Sequence, residues 1–340
     1  MKKIFIQDAK QISIQQPLSE QWMENPVWHH EPLVFATNPS FRDFFPPNEV
    51  RRMGNLIKRA IVTSLKVLED TNVSHPDAII TGTSIGSLDC TERFLHSMIL
   101  NQEETLSPTY FMQSTHNTVS SSLAIYTKTH SYNTTYSHGS VSFDLALLDA
   151  YIQMKLGKIN NALVGGHDEM VENYFSLLQK TGYVGQEGMV PCGEVAMAAM
   201  LSVDDKSNNL CQLGGIRVLY KPSMEQFQTQ LSQLLTKAHT SLEEIDGIMT
   251  GINGNPLNDA CYHRIAESLF PDKPLLHYKH LFGENYTVSA LALYTVAHCL
   301  KRNYFPDFLS VSHKPDCYRN ILLINHNDQQ EWSMILLKQA

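Results

Sequence analysis

The sequence lacks the features that define several large functional classes. Its six cysteines are scattered, without a CxxC pair or a Cys/His spacing typical of metal sites, so we expect reduced thiols, no metal and no cofactor. No apolar run approaches the roughly eighteen residues of a membrane-spanning helix. The N-terminal apolar run stops at Ile6, before Gln7 and Asp8, which favours a first strand over a signal peptide. These absences predict a cytoplasmic protein with no membrane span.

Basic residues are also few relative to acidic residues. The chain has 26 basic and 34 acidic residues, and its net charge of -8 disfavours a general nucleic-acid binder. Of the 340 residues, 43% are hydrophobic, which is enough for a large core that folds without disulfides. We therefore expect no nucleic-acid partner and a well-packed globular fold.

Strand-like apolar runs alternate with helix-length amphipathic segments throughout the chain, which predicts an α/β fold with mostly parallel, buried sheets. The predicted strands are residues 3–6, 77–82, 132–136, 162–164, 196–203, 213–220, 247–250, 321–325 and 332–337, and the predicted helices are 47–70, 141–157, 223–238, 256–269 and 286–302. A polar turn cluster, DDKSNN at residues 204–209, is the best candidate for the junction between the two halves of the chain. We expect one compact unit with two halves, residues 1–205 and 206–340.

The most informative stretch lies between residues 133 and 170. A β-type run breaks at SHGS, residues 137–140, and a helix follows whose predicted core face is Val141, Leu145, Leu148 and Ile152. A strand ending in Gly165-Gly166 comes next. Strand, sharp turn and helix start together expose a side chain where free N–H groups and the helix dipole stabilise an anion. Here the turn offers only hydroxyls and the imidazole of His138.

Segments spread over nearly the whole chain resemble one known family. They are RRMGNLIKRAIVTSLKVLED (51–70), AIITGTSIGSLDCTERF (78–94), YFMQSTHNTVSSSLAIYTKTHSYNTTYSHGS (110–140), VPCGEVAMAAML (190–201), GINGNPLNDACY (251–262) and KHLFGENYTVSALAL (279–293). In this order they resemble β-ketoacyl synthases, most closely the short, divergent synthase-like proteins of aryl-polyene and flexirubin pathways. The resemblance implies a thiolase-like fold, in which two duplicated βαβαβ-type halves form α-β-α-β-α layers.

The same resemblance implies a catalytic set that this chain largely lacks. Family members use a Cys nucleophile at the strand–helix turn, where this sequence has Ser140, or Gly139 or His138 if the alignment slips. The His of HGTxTP becomes Gly251 and the His of KSxxGH becomes Glu284, whereas the Lys is kept as Lys279. The family's Gly-rich, Phe-containing loop corresponds to NHNDQQEW, residues 325–332.

These replacements predict a protein that does not condense acyl groups. A serine hydroxyl without a neighbouring base is far too weakly acidic to replace the thiolate. Each oxyanion donor of the kind that the missing imidazoles provide is worth roughly 2.7–4 kcal/mol in the transition state. A carboxylate at Glu284 would instead repel the developing charge.

By resemblance, the chain is expected to act as a chain-length-factor-like partner of an active ketoacyl synthase in fatty-acid or polyene-type biosynthesis. It would form a heterodimer or a homodimer, and an acyl carrier protein is a further expected partner. The residues expected to line the acyl tunnel or contact the substrate are Gln113, His116, Asn117, Val119, His167 and Asn253. Two alternatives stay open: an active acyltransferase or synthase that uses Ser140 or another nucleophile, and a homodimer that binds an acyl ligand without turnover.

Structural roles compete with these assignments. Ser137 and Ser140 could cap the following helix, and Glu284 could cap the helix through residue 286. Lys279 could pair with Glu284 or with Glu194. The Asn-Gly-Asn-Pro run at residues 253–256 is typical of a tight turn before a helix.

A basic cluster, Arg51, Arg52, Lys58 and Arg59, has two readings. It could attract an acidic carrier protein, or it could be the solvated face of a helix.

Overall fold

The structure is a computed structural model that describes residues 2–104, 106–310 and 317–340. The first half contains β1 (Phe5–Ile12), α1 (Pro47–Val50), α2 (Asn55–Thr71), β2 (Ala78–Gly82), α3 (Leu88–Leu100), α4 (Pro108–Ser114), α5 (Thr118–Thr127), β3 (Tyr132–Tyr136), α6 (Ser142–Lys155), β4 (Asn161–Asp168), α7 (Glu172–Lys180) and β5 (Val195–Ser202). The second half contains β6 (Cys211–Tyr220), α8 (Met224–Lys237), β7 (Gly247–Thr250), α9 (Pro256–Leu269), β8 (Leu275–His277), α10 (Lys279–Phe282), α11 (Ser289–Arg302), β9 (Asn320–Asn327) and β10 (Glu331–Lys338).

The strand order shows a duplication. The strands are hydrogen-bonded in the order β3-β2-β4-β5-β1-β6-β10-β9-β7-β8. Each half, counted from its own first strand, has its third, second, fourth, fifth and first strands side by side. A short antiparallel contact, in which Phe5 pairs with Gln212 and Ile6 with Cys211, joins the two five-stranded blocks. The predicted thiolase-like α/β fold with two duplicated halves is confirmed. The predicted boundary at residues 205 and 206 lies in the turn between β5 and β6 and stays a prediction.

Five layers follow from where the apolar side chains lie. Every residue of α11 from Ser289 to Leu300 is buried, and a helix that is buried on all sides belongs inside a core. With α6 it packs between the two sheet blocks in the largest apolar cluster. Helices α2 and α5 cover the outer face of the first block, and α8 and α9 cover that of the second.

The predicted core face of α6 is correct only in part: Val141, which precedes the helix, is buried, and Leu148 packs against the core. Ile152 is 45% exposed, and Leu145 and Leu148 are only half-buried. The residues that face the core are Phe143, Ala146, Leu147, Ala150 and Met154. The reason is that α6 lies between two sheets, and the face with Ala146 and Ala150 allows it to approach the first block closely.

Other local predictions need correction. The sheet is mixed rather than mostly parallel, because β2 and β7 each have two parallel neighbours while the remaining pairs are antiparallel. The predicted helix at residues 47–70 is two helices, α1 and α2, that are separated at Gly54. Helices α3 and α7 and strand β8 were not predicted. Among the described residues, no helix is both long and apolar enough to cross a membrane.

Two glycines of the first block let the central helices α6 and α11 approach it closely. A Cβ at Gly82 would lie 2.4 Å from the backbone nitrogen of Phe143, and a Cβ at Gly166 would lie 2.8 Å from the Cβ of Ala290. Neither contact distance is possible, so only glycine permits these approaches. The turn that precedes α6 is therefore fixed at the ends of β2 and β4, facing the second half of the chain.

Candidate functional site

The turn between β3 and α6 is a short 3-10 segment, Gly139–Val141, that leads directly into α6. Ser142 caps it, because its Oγ accepts the N–H of His138 at 2.8 Å and donates to the carbonyl of Gly139 at 2.7 Å. The predicted capping by Ser137 or Ser140 is wrong: neither hydroxyl accepts an N–H of the helix start among the described residues. Ser140 is thus left for another contact.

Ser140 contacts a carboxylate from the other half of the chain. One oxygen of Glu331, Oε2, accepts the backbone N–H of Ser140 at 2.9 Å and its hydroxyl at 2.7 Å. Gly139 has a φ of +51°, and a Cβ there would lie 2.6 Å from the same oxygen. A side chain at position 139 would therefore displace the carboxylate, and glycine satisfies both the backbone geometry and the space.

Lys279 and Glu284 form a buried ion pair across the turn between α10 and α11. The Nζ of Lys279 lies 2.7 Å and 3.0 Å from the two oxygens of Glu284, and both side chains are about 95% buried. The amide of Asn253 donates to Glu284 at 2.6 Å. Glu284 does not cap α11, which begins only at Ser289. The two charges compensate each other inside the protein.

Gly251, at the end of β7, has no room for a side chain. A Cβ there would lie 2.6 Å from Oδ1 of Asn325, 2.7 Å from the hydroxyl of Tyr262 and 3.1 Å from Cε of Lys279. Any imidazole at this position would collide with its surroundings. The His that the family resemblance predicts at this position would therefore not fit the present packing.

An imidazole that the sequence reasoning missed, His326, lies in β9 beside the ion pair. Its ring packs between those of Tyr262 and Trp332, with centroids 4.3 Å and 4.4 Å away. Its Nε2 lies 3.1 Å from the carbonyl of Asn258, and its Nδ1 lies 3.4 Å from the N–H of Gln329. Both nitrogens are thus engaged in the neutral form that carries its proton on Nε2.

Burial, and to a smaller extent the charge of Lys279, lowers the pKa of His326 to about 4. An unfolded chain would bind a proton at this histidine below about pH 6.5, whereas the folded chain would not until about pH 4. We therefore predict that the free energy of unfolding falls between pH 6.5 and pH 4, by up to about 3 kcal/mol from this group.

His326→Phe would keep the ring stack and should reduce this pH slope, although it lowers stability at pH 7 through the lost hydrogen bonds. Urea unfolding at pH 7, 6, 5 and 4.5 measures the slope. A slope that is the same in wild type and variant would contradict the assignment.

These residues enclose a very small cavity of about 10 Å³, which is room for about one water molecule. Its lining is polar and consists of Ser140, Tyr183, Gly251, Asn253, Asn258, Lys279, Glu284, Asn285, Tyr286, Val288, Asn325, His326 and Asn327. Nδ2 of Asn285 and Oδ1 of Asn325 are buried without a hydrogen-bond partner among the described residues. The space cannot take an acyl thioester.

The cavity brings together Ser140, Gly251, Asn253, Lys279 and Glu284, all expected at the site from the sequence. The other expected residues lie outside its lining. His138 is exposed on the turn, His116 and Asn117 are exposed beside α5, and Gln113 bridges the carbonyl of Arg52 and the N–H of Gly54. Their tunnel role stays a prediction.

Val119 and His167 are both buried elsewhere. Val119 is 4% exposed and packs in the core between α2 and α5, so its side chain is not free to contact another subunit. His167, at the end of β4, has no hydrogen-bond partner among the described residues, and burial lowers its pKa to about 3. The described residues contain no group of three His, Cys, Asp or Glu side chains that could hold a metal ion.

Glu194 pairs with Arg59 rather than with Lys279. Nη1 of Arg59 lies 2.9 Å from Oε2 of Glu194, and both side chains are buried. The Glu194 carboxylate also accepts the N–H groups of Ala36 and Met170. Arg59 is therefore part of the interior, and the basic surface cluster consists of the remaining members.

Comparisons with known proteins agree with this architecture. The sequence matches the family described as β-ketoacyl synthase, N-terminal domain, over residues 20–247. A structure described as the ishigamide ketosynthase/chain length factor superposes with a TM-score of 0.82 at 14% identity, covering 100% of this chain and 99% of that one. A ketosynthase in complex with its chain length factor from Xenorhabdus doucetiae gives 0.80 at 15% identity, covering 100% and 98%.

A β-ketoacyl synthase from Burkholderia phymatum gives a TM-score of 0.78 at 14% identity, with 100% of both chains covered. No curated protein matches the sequence significantly. The structural likenesses show a shared fold, and the sequence match covers more than half of the chain. The chain belongs to the β-ketoacyl synthase family.

Proposed function

We propose that this chain is a non-condensing β-ketoacyl synthase homologue that acts, like a chain-length factor, as the partner of an active synthase in fatty-acid or polyene-type biosynthesis. The observation that carries the proposal is a site filled by the chain's own carboxylates. The Glu331 carboxylate accepts hydrogen bonds from the N–H and the hydroxyl of Ser140, and the Glu284 carboxylate forms an ion pair with Lys279. No substrate group can reach either donor without displacing them.

The chemistry of condensation also supports a non-condensing function. A decarboxylating malonyl group builds negative charge on its thioester oxygen, and donors aimed at that oxygen lower the barrier. Here the buried carboxylate of Glu284 would raise it, and no imidazole fits at Gly251. The imidazole of His326, which lines the cavity, has both nitrogens engaged.

One observation favours a different function. The hydroxyl of Ser140 donates to the Glu331 carboxylate at 2.7 Å, and a hydroxyl beside a carboxylate base is a possible nucleophile for acyl transfer. However, the same carboxylate oxygen also binds the N–H that would stabilise the oxyanion, and the cavity has no space for an acyl group. We therefore favour the non-condensing function.

A partner surface is available beside β3. This strand pairs with β2 on one side and is the last strand of its sheet among the described residues. Helix α5 packs against β3, and α4 packs against α3 and α5. The exposed apolar side chains on α4, α5 and β3, which we name the β3 surface, are Tyr110, Phe111, Met112, Ile125 and Tyr132. An unpaired strand edge with apolar neighbours favours association.

We propose that the β3 surface binds a synthase, because two of the similar structures are described as ketosynthases with chain length factors. Obligate interfaces of this type bury on the order of 2,000–5,000 Å². An acyl carrier protein is a second proposed partner: one similar structure is described as a carrier protein in complex with its ketosynthase, and Arg51 and Arg52 are exposed here.

Co-expression with an active synthase from the same organism tests the proposal. Light scattering at micromolar concentration should give the mass of a heterodimer, and the complex should survive gel filtration. A monodisperse monomer whose mass does not change when the synthase is added would contradict the proposal.

A further inference from the structure

The Glu331 carboxylate is held in an arrangement that suits an anion in general. It accepts the backbone N–H and the hydroxyl of Ser140 through one oxygen. The turn continues into α6, a 14-residue helix whose dipole favours negative charge at this end. The absent Cβ of Gly139 provides the space for the carboxylate.

Glu331 is held in place by the strand pairing of the second half of the chain. It is the first residue of β10 and pairs with Asn327 of β9 and Tyr220 of β6. The β9–β10 turn is a tight one, with Asp328 and Gln329 at φ of +46° and +59°. The backbone that carries the carboxylate is therefore set by strand pairing on both sides, independently of the Ser140 turn.

A buried polar group near the Ser140 turn is available for a further hydrogen bond. Ser140 lines the small cavity together with Asn285, whose buried Nδ2 has no hydrogen-bond partner among the described residues. A buried amide donor without a partner favours an added anion over an added cation.

We infer that the Ser140 turn is a carboxylate-binding site that the chain occupies with its own Glu331, and that removal of this side chain opens the site to a free one- or two-carbon carboxylate, formate or acetate. The inference deepens the proposed function and rests on it, because an occupied anion site cannot hold a thioester oxygen.

Glu331→Ala tests it directly on the isolated protein. We expect the variant to melt below wild type, and 100 mM formate or acetate to raise its melting midpoint by about 2–4 °C over chloride at equal ionic strength. Wild type should show no such difference. Glu331→Gln is the matched control, because the amide keeps the space filled and should not respond.

A second variant, Glu331→Ser, guards against misfolding of the first. Folded material of either variant that is recovered only when carboxylate is present also supports the inference. Equal midpoints in carboxylate and chloride for both variants would overturn it, and so would equal carboxylate responses of wild type and Glu331→Ala. The measurement needs neither a partner nor turnover, so its failure is distinguishable from failure of the proposed function.

Discussion

Glu284→Leu is expected to lower the free energy of unfolding by about 3–5 kcal/mol. The substitution leaves the ammonium of Lys279 buried without its opposite charge, and the amide of Asn253 loses its acceptor. An uncompensated buried charge is far more costly than the loss of a surface contact. Urea unfolding monitored by circular dichroism gives the difference.

The double variant Lys279→Met/Glu284→Leu separates the effect of charge from that of packing. It removes both charges and should lie within about 1–2 kcal/mol of wild type, since apolar replacement of a buried pair is often neutral. Glu69→Ala, which removes an exposed ion pair with Lys66, should cost no more than about 0.5 kcal/mol. A double variant as unstable as the single one would contradict the role assigned to the pair.

A negative charge introduced on the β3 surface should strongly weaken binding to a synthase. Ile125 is 78% exposed on α5, and Met112 is exposed on α4. In Met112→Glu or Ile125→Glu, a carboxylate buried in an apolar contact costs several kcal/mol, so the dissociation constant should rise by at least about 100-fold. Analytical ultracentrifugation of the mixed proteins measures it.

Leu257→Glu is the control for this experiment. Leu257 is 77% exposed on α9, in the outer layer of the second half, so its substitution should leave pairing intact. Val119 is unsuitable for the same test, because a charge there would enter the core between α2 and α5. Equal affinities for Ile125→Glu, Met112→Glu and wild type would place the partner surface elsewhere.

The sequence was most informative where local signals are strong. Strands β3 and β7 and helix α9 have the predicted bounds, and α9 begins as expected because Asn255 accepts the N–H groups of Leu257 and Asn258 and Pro256 follows it. The core face of α6 was missed because it depends on a second sheet that is distant in sequence. Periodicity alone does not reveal which side of a helix between two sheets is more crowded.

The site was predictable in part. Motif positions indicated Ser140, Gly251, Lys279 and Glu284, and the structure places all four around one cavity. The contact of Glu331 with Ser140 could not be predicted, because it spans 191 residues and depends on the register of β9 and β10. His326 was missed for the same reason, although its place in the segment that replaces the Gly-rich loop was a usable signal.

Release of labelled carbon dioxide from malonyl carrier protein by the isolated chain, with an acylated carrier protein as co-substrate, tests whether the chain is non-condensing. We predict release at the level of a protein-free blank over hours at micromolar protein, because the site is filled by Glu284 and Glu331. Release above the blank that disappears in Ser140→Ala would contradict it and establish an active site at the turn.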